Sequence, residues 1–366
     1  MKILLSAYTG LGNFVLKTPM IHTLYQALPN ARLDIIGGNG GGAEHLLYNS
    51  RLIGKTHLLP INAPRSQKIA FYRHLQAEAY DAALLPFDAC PPSLFWGTFL
   101  AKIPRRVCHY LSPAHHWQRV LKQNLQRMFL PKTHFVPLPP QRHEIDLNYD
   151  LLQTLIGKTL ERSYNTHIEP PTTTQALDRY GLHSKQYICI QTGAANGLYS
   201  VKVWHPERFV EIINFLLEKQ DLPIVLLGDK GDLNTTLQPI LRAFEQEPRV
   251  VNTAGQTTLD ELMVLLANTN LLLCHDSGSM HLADAMQIPL LVLFGPSDLD
   301  RARPLKATSH VLVSQTPYTK ILAHFAMNES ALHAQNIGHA AMDGITVDMV
   351  KSKLIELLNM APFQGA

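Results

Sequence analysis

The second half of the chain repeats one pattern five times: a short apolar run, then enough residues to form a helix. The runs are Tyr187–Thr192, Pro223–Leu227, Arg249–Asn252, Leu271–Cys274 and Leu290–Phe294. Short apolar runs spaced by helix-length segments predict parallel strands, because parallel neighbours need a long crossover and are buried on both faces. The first half opens the same way. An apolar run at Lys2–Ala7 leads through a glycine turn to a helical segment at about 14–28, a second run at Arg32–Ile36 and a further one at Ala82–Pro86. Each half is therefore expected to be an α/β, Rossmann-like, doubly wound parallel sheet. The chain's 366 residues also suit two domains of ordinary size. The boundaries expected are 1–170 and 171–345, with Glu169–Thr174 as linker. An amphipathic segment in 346–366 is expected to close the chain by packing back across the domain boundary.

Composition narrows the class. The net charge of +3 with 17% charged residues is ordinary for a globular protein and gives no reason to expect nucleic acid as a partner. That figure conceals a gradient: residues 1–170 hold 18 basic and 10 acidic side chains, whereas 171–366 hold 14 and 19. Residues 89–143 contain no Asp or Glu but eight Lys/Arg and five His, interleaved with aromatics that include Trp96, Tyr110 and Trp117. Such a stretch suits an anionic glycolipid at a membrane surface; a helical face whose cations are simply solvated is the plain alternative. Cys90, Cys108, Cys189 and Cys274 form no Cys-x-x-Cys pair, which fits a reducing, cytoplasmic compartment. The opening apolar run is too short for a signal peptide, and no uncharged stretch reaches the roughly 20 residues of a spanning helix.

Cys274-His275-Asp276-Ser277-Gly278-Ser279-Met280-His281 follows a buried run and opens a helix. Unpaired N–H groups, a glycine and the helix dipole make such a start a seat for a diphosphate. Asp276 stands where it can accept hydrogen bonds from sugar hydroxyls. Locally, an N-cap role for Asp276 or Ser277 explains the residues equally well. In Lys202-Val203-Trp204-His205-Pro206, Lys202 can reach a leaving phosphate, and Pro206 suits a first helical turn; a lysine in a loop is more often merely solvated. Gly10-Leu11-Gly12-Asn13 lets a ligand approach the backbone. It is not a dinucleotide fingerprint, because Val15 takes the third glycine position and no acid ends the second run. Asp298-Leu299-Asp300 spells an acidic metal motif but reads as a loop after a strand, so no metal is expected.

Taken together, the motifs resemble glycosyltransferase family 9. They are Gly10-Leu11-Gly12-Asn13 with Thr18-Pro19, Lys202-x-Trp204-x-Pro206-Glu207-x-Phe209, Ala254-Gly255-Gln256-Thr257-x-Leu259-x-Glu261-Leu262, Asp276-Ser277-Gly278-x-Met280-His281-Leu282-Ala283 and Phe294-Gly295-Pro296-Ser297-Asp298. Arg105-Arg106-Val107 and His143-Glu144-x-Asp146 fit more loosely. The resemblance implies a GT-B fold of two Rossmann-like domains facing a cleft, with acceptor on the first and nucleotide sugar on the second. It implies an inverting, metal-independent transfer without a cofactor, ADP-heptose being the favoured donor and a lipopolysaccharide-type glycan the acceptor. Carried over, Lys202, Ser277 and Gly278 hold the diphosphate, with His281 close by, and Asp276 binds the transferred sugar. Gly12, Thr192 and Gly193 line the donor, and Asp232 holds the ribose.

One position departs from the best-known members of the family, although many relatives share its Gly-x-Gly-Asn turn. Asn13 stands where heptosyltransferases carry an aspartate as general base, and a carboxamide takes no proton near neutral pH. Asp88, the only acid between Asp81 and Glu144, is the substitute base expected; a turn-capping aspartate is the competing reading. Two functions follow: a transferase acting on the cytoplasmic face of a bacterial inner membrane, or a non-catalytic sugar-nucleotide or glycan-binding protein that has lost its base.

Overall fold

A computed structural model describes residues 1–38, 42–47, 50–110, 133–139, 141–194, 201–319 and 337–360. Ser200, Trp117 and the rest of 111–132 within the acid-free stretch lie outside the described residues. The chain divides into two compact units, Met1–Ile168 and Glu169–Ala366.

The first unit is built on six parallel strands: β1 (Lys2–Ser6), β2 (Arg32–Gly37), β3 (Thr56–Leu58), β4 (Ala82–Leu85), β5 (Arg105–Tyr110) and β6 (Thr133–Pro137), in the order β3-β2-β1-β4-β5-β6. Its helices are α1 (Leu11–Val15), α2 (Thr18–Ala27), α3 (Arg65–Leu75), α4 (Pro92–Leu100) and α5 (Glu144–Ile156). The single helix expected over 14–28 is two helices. Pro19 sits in the first turn of α2 and has no N–H to offer the Val15 carbonyl; the Thr18 hydroxyl donates to that carbonyl instead, at 2.7 Å. Strands β3, β5 and β6 escape a search for apolar runs. In β5, Arg106 is buried, its guanidinium donating to the Ile103 carbonyl and to Thr133 Oγ1.

The second unit has the strands β7 (Ile188–Gln191), β8 (Ile224–Leu227), β9 (Val250–Asn252), β10 (Leu271–His275), β11 (Leu290–Phe294) and β12 (Ser309–Val313), ordered β12-β11-β10-β7-β8-β9 and all parallel. Around them lie α6 (Gln175–Tyr180), α7 (Pro206–Lys219), α8 (Lys230–Leu233), α9 (Leu237–Ala243), α10 (Leu259–Asn268), α11 (Gly278–Ala285), α12 (Leu299–Ala302) and α13 (Val347–Met360). The five apolar runs are the first five of these strands. Val350, Leu354 and Leu357 of α13 join Ile212, Ile213 and Leu216 of α7 in one buried cluster, so the terminal helix completes the second unit's own core.

Each sheet thus has the same winding. The chain builds three strands outward from one centre, returns, and builds three on the other side. Crevices at the carboxyl ends of the two central strands, where winding reverses, are where open α/β sheets hold ligands. Here those points lie after β1 and β4 in the first unit, and after β7 and β10 in the second.

Candidate active site

In the first unit the loops leaving β1 and β4 meet around a fully buried cation. Lys17 follows α1 directly, and its ammonium lies 2.6 Å from Asp88 Oδ2, 3.6 Å from Glu144 Oε1 and 3.2 Å from the Asn13 carbonyl. The Thr9 hydroxyl donates to the same Asp88 oxygen at 2.5 Å. Asp88 lies in a short 3-10 turn, Phe87–Ala89. Its other oxygen, Oδ1, has no hydrogen-bond partner among the described residues. Asn13, half-buried on α1, and Asp88 are therefore tied to one turn through Lys17, with Gly12 buried behind them. A cation taken out of water is tolerable only when paired this closely. Lys17 and Thr9 were not anticipated, and Glu144 entered only as part of a loosely matching motif. One signal existed: Lys17 is the only charged residue between Lys2 and Arg32, set in the apolar run Phe14-Val15-Leu16.

In the second unit the switch point holds Lys202 and Asp276, 2.8 Å apart. Lys202 is presented by a loop held from both sides, since Val201 and Val203 are wholly buried. Trp204 then anchors it. Its indole N–H donates to the Ile345 carbonyl and its backbone N–H to His275 Nε2, each at 2.9 Å, while Pro206 opens α7. His275 must accept that bond in its neutral form, and burial pushes its imidazole down to about 4. Burial drives the neighbouring Asp276 carboxyl the other way, but the charges of Lys202 and His281 outweigh it and hold the group below the usual carboxylate range.

Ser277 occupies the N-cap position of α11 yet makes no capping bond, and its buried hydroxyl has no hydrogen-bond partner among the described residues. The helix start at Gly278 is thus left uncapped by a side chain, as an anion seat requires and as an N-cap role does not. His281 is buried one turn further on. Thr192 is wholly buried, its hydroxyl 3.2 Å from that of Thr236. Gly193 packs directly against the Asp232 carboxylate, where any Cβ would collide. Asp232 itself is buried and accepts from the Asp229 N–H at 2.9 Å in a reciprocal capping box, and burial first of all raises its carboxyl to about 6.

Two shared motifs supply helix caps. Thr258 and Glu261 form a capping box that starts α10, after Gly255 turns the chain at φ +67. Asp298 caps α12, accepting from the Asp300 N–H at 3.2 Å.

Two doubly wound sheets, one with a lysine and an open helix start at its switch point, define the chain as a glycosyltransferase of GT-B type. The family model described as glycosyltransferase family 9 (heptosyltransferase) matches residues 69–329, and the chain belongs to that family. It is similar to lipooligosaccharide heptosyltransferase 2 of Haemophilus influenzae, 24% identical over 98% of this chain and 99% of that one. It is also similar to lipopolysaccharide heptosyltransferase 2 of Escherichia coli K12, 25% identical over 88% of this chain and 90% of that one. The structure of E. coli ADP-heptose LPS heptosyltransferase II superposes with a TM-score of 0.73 at 22% identity, covering 98% of this chain and 99% of the other. These relatives favour the enzyme over a non-catalytic binding protein.

Proposed function

We propose that this glycosyltransferase moves heptose, with inversion, from ADP-heptose to a lipopolysaccharide-type glycolipid, working at the cytoplasmic face of a membrane. The observation that carries the reading is the Lys202–Asp276 pair beside the uncapped start of α11. As the glycosidic bond of the donor breaks, negative charge grows on the departing diphosphate. Lys202 and the N–H groups at Ser277 and Gly278 neutralise it without a metal. Asp276, kept ionised, accepts from hydroxyls of the transferred sugar. Gly193 gives the donor a close backbone approach, and Asp232 braces that glycine beside the ribose. Asp88 takes the proton of the acceptor hydroxyl on Oδ1, directly or through one water. Lys17 and Thr9 hold its other oxygen, and Gly12 and Asn13 shape the turn that receives the acceptor. Among the described residues no helix is long and apolar enough to cross a membrane, so attachment is peripheral in this reading.

Thermal-shift titration with ADP-, GDP-, UDP- and dTDP-sugars tests it, followed by nucleotide release in the presence of a lipopolysaccharide-precursor extract. Stabilisation by ADP-heptose with release of ADP is expected. Preference for another nucleotide reassigns the donor, and no stabilisation by any of them refutes the reading.

A further inference from the structure

The exposed positions of α4 hold no polar residue. Pro92, Trp96 and Phe99 are its exposed positions, spaced i, i+4, i+7 on one stripe. Trp96 is 44% and Phe99 46% exposed. On a helix that packs by its other face a polar stripe is the rule; here Leu94, Phe95, Gly97 and Thr98 are buried and two large aromatic rings remain in solvent. Contiguous exposed apolar surface of this kind marks an interaction site.

The surroundings identify the partner's chemistry. Lys102, Pro104 and Arg105 follow α4 and are exposed. Helix α3 packs against α4, with Gly97 seated on the Tyr72 ring, and its sequence Arg-Ser-Gln-Lys-Ile-Ala-Phe-Tyr-Arg-His-Leu holds three cations and no acid. Arg65 and Arg73 are exposed there. Between residues 45 and 143 the only carboxylates are Glu78, Asp81 and Asp88. All three are engaged elsewhere: Glu78 with Lys2 and Lys55, Asp81 with the Lys2 N–H, and Asp88 with Lys17. An exposed aromatic stripe, with exposed cations on the helix packed beside it and on the residues that follow it and no carboxylate in these three segments, is complementary to an anionic bilayer. The rings enter the headgroup boundary while the cations meet lipid phosphates. A second copy of the chain fits poorly, because it would set two cationic faces together.

We infer that the exposed face of α4, with the cations of α3 and of residues 102–105, is a docking surface for an anionic lipid bilayer. This deepens the membrane location proposed above, and its test does not depend on transfer. The full-length protein is co-sedimented with equimolar phosphatidylglycerol/phosphatidylcholine vesicles and with pure phosphatidylcholine vesicles, all free of glycolipid, at low and high salt. Pelleting with the anionic vesicles at low salt is expected, with loss at high salt and on the neutral vesicles. Trp96→Ser/Phe99→Ser weakens partitioning roughly tenfold by removing apolar area. Arg65→Gln/Arg73→Gln weakens it about fivefold per cation, on a surface where folding is not at stake. The blue shift of tryptophan emission on vesicles disappears in Trp96→Phe. Failure to pellet at low salt overturns the inference, as does equal pelleting of wild type and both double variants. So does a dimer in sedimentation velocity that Trp96→Ser/Phe99→Ser converts to monomer. Donor stabilisation in the thermal-shift panel is unaffected by any of these outcomes, so the two readings fail separately.

Discussion

At the scale of single residues, the first unit turns on Lys17, which no motif contains, and the second on His275, which lies inside a motif without a role assigned to it. Lys17→Met leaves the Asp88 and Glu144 carboxylates buried around a lost cation, which costs about 3–5 kcal/mol; urea denaturation measures it, and a change under 1 kcal/mol would show that the pair contributes little. Asp88→Asn keeps the shape and removes the proton acceptor. Turnover is expected to fall by about 10²–10⁴-fold with donor stabilisation unchanged, and full turnover assigns the base elsewhere. His275 and Asp232 act in opposition on pH stability. With His275 at about 4 when folded, the unfolded chain takes up its proton first as pH falls from about 6.5, and stability drops. With Asp232 at about 6 when folded, the folded chain takes up a proton first, and stability rises over nearly the same window. Asp232→Asn deletes only the second effect. Relative to wild type, the variant is expected to gain roughly 2–3 kcal/mol at pH 7 and to lose that gain at about 1.4 kcal/mol per pH unit between pH 6 and 4. Parallel stability curves for the two proteins would contradict the assignment.

Among elements, the buried apolar strands of the second unit were the most legible and the short strands the least. Pro206 at the head of α7 follows local stereochemistry, so a few residues suffice to place that helix start, whereas the Thr258–Glu261 capping box of α10 passed unread. Strand β5, Arg105–Tyr110, reads as polar because the Thr133 hydroxyl that helps satisfy Arg106 lies 27 residues away, on β6. The α3–α4 contact shows the same dependence on distant chain. Gly97 looks like a helix weakness until Tyr72 is laid across it. Gly97→Ala places a methyl group in that ring and is expected to cost about 1–3 kcal/mol by overpacking. Tyr72→Leu removes the far end of the ring, so the double variant should recover part of the loss; additive losses in thermal unfolding would rule the contact out as the cause.

For the whole molecule, the winding of each sheet gathers chemistry from distant segments at one point. Lys17 and Asp88 are 71 residues apart in sequence, and Lys202 and Asp276 are 74 apart. In the proposed reaction the second pair, with the open start of α11, takes the place of the cation that metal-dependent transferases use. Dialysis against a chelator is accordingly expected to leave turnover within about twofold, whereas Lys202→Ala is expected to lower it about 10²–10³-fold. A chelator-sensitive rate restored by a divalent cation would show that Lys202 and the helix start do not suffice.

The sequence by itself determined the alternation of strand and helix, the starts of α7 and α11 and the family signatures, because each depends on residues within one or two turns of chain. It also singled out Lys202, Asp276 and Asp88 as candidate site positions. Only the tertiary structure decided their partners: Lys17 for Asp88, Asp276 for Lys202, Gly193 for Asp232, and none within reach for the Ser277 hydroxyl among the described residues. A period in the sequence reports which face of an element is buried. Which two loops meet at a switch point depends on the order in which the strands are laid side by side, and that order is set by packing across the whole sheet.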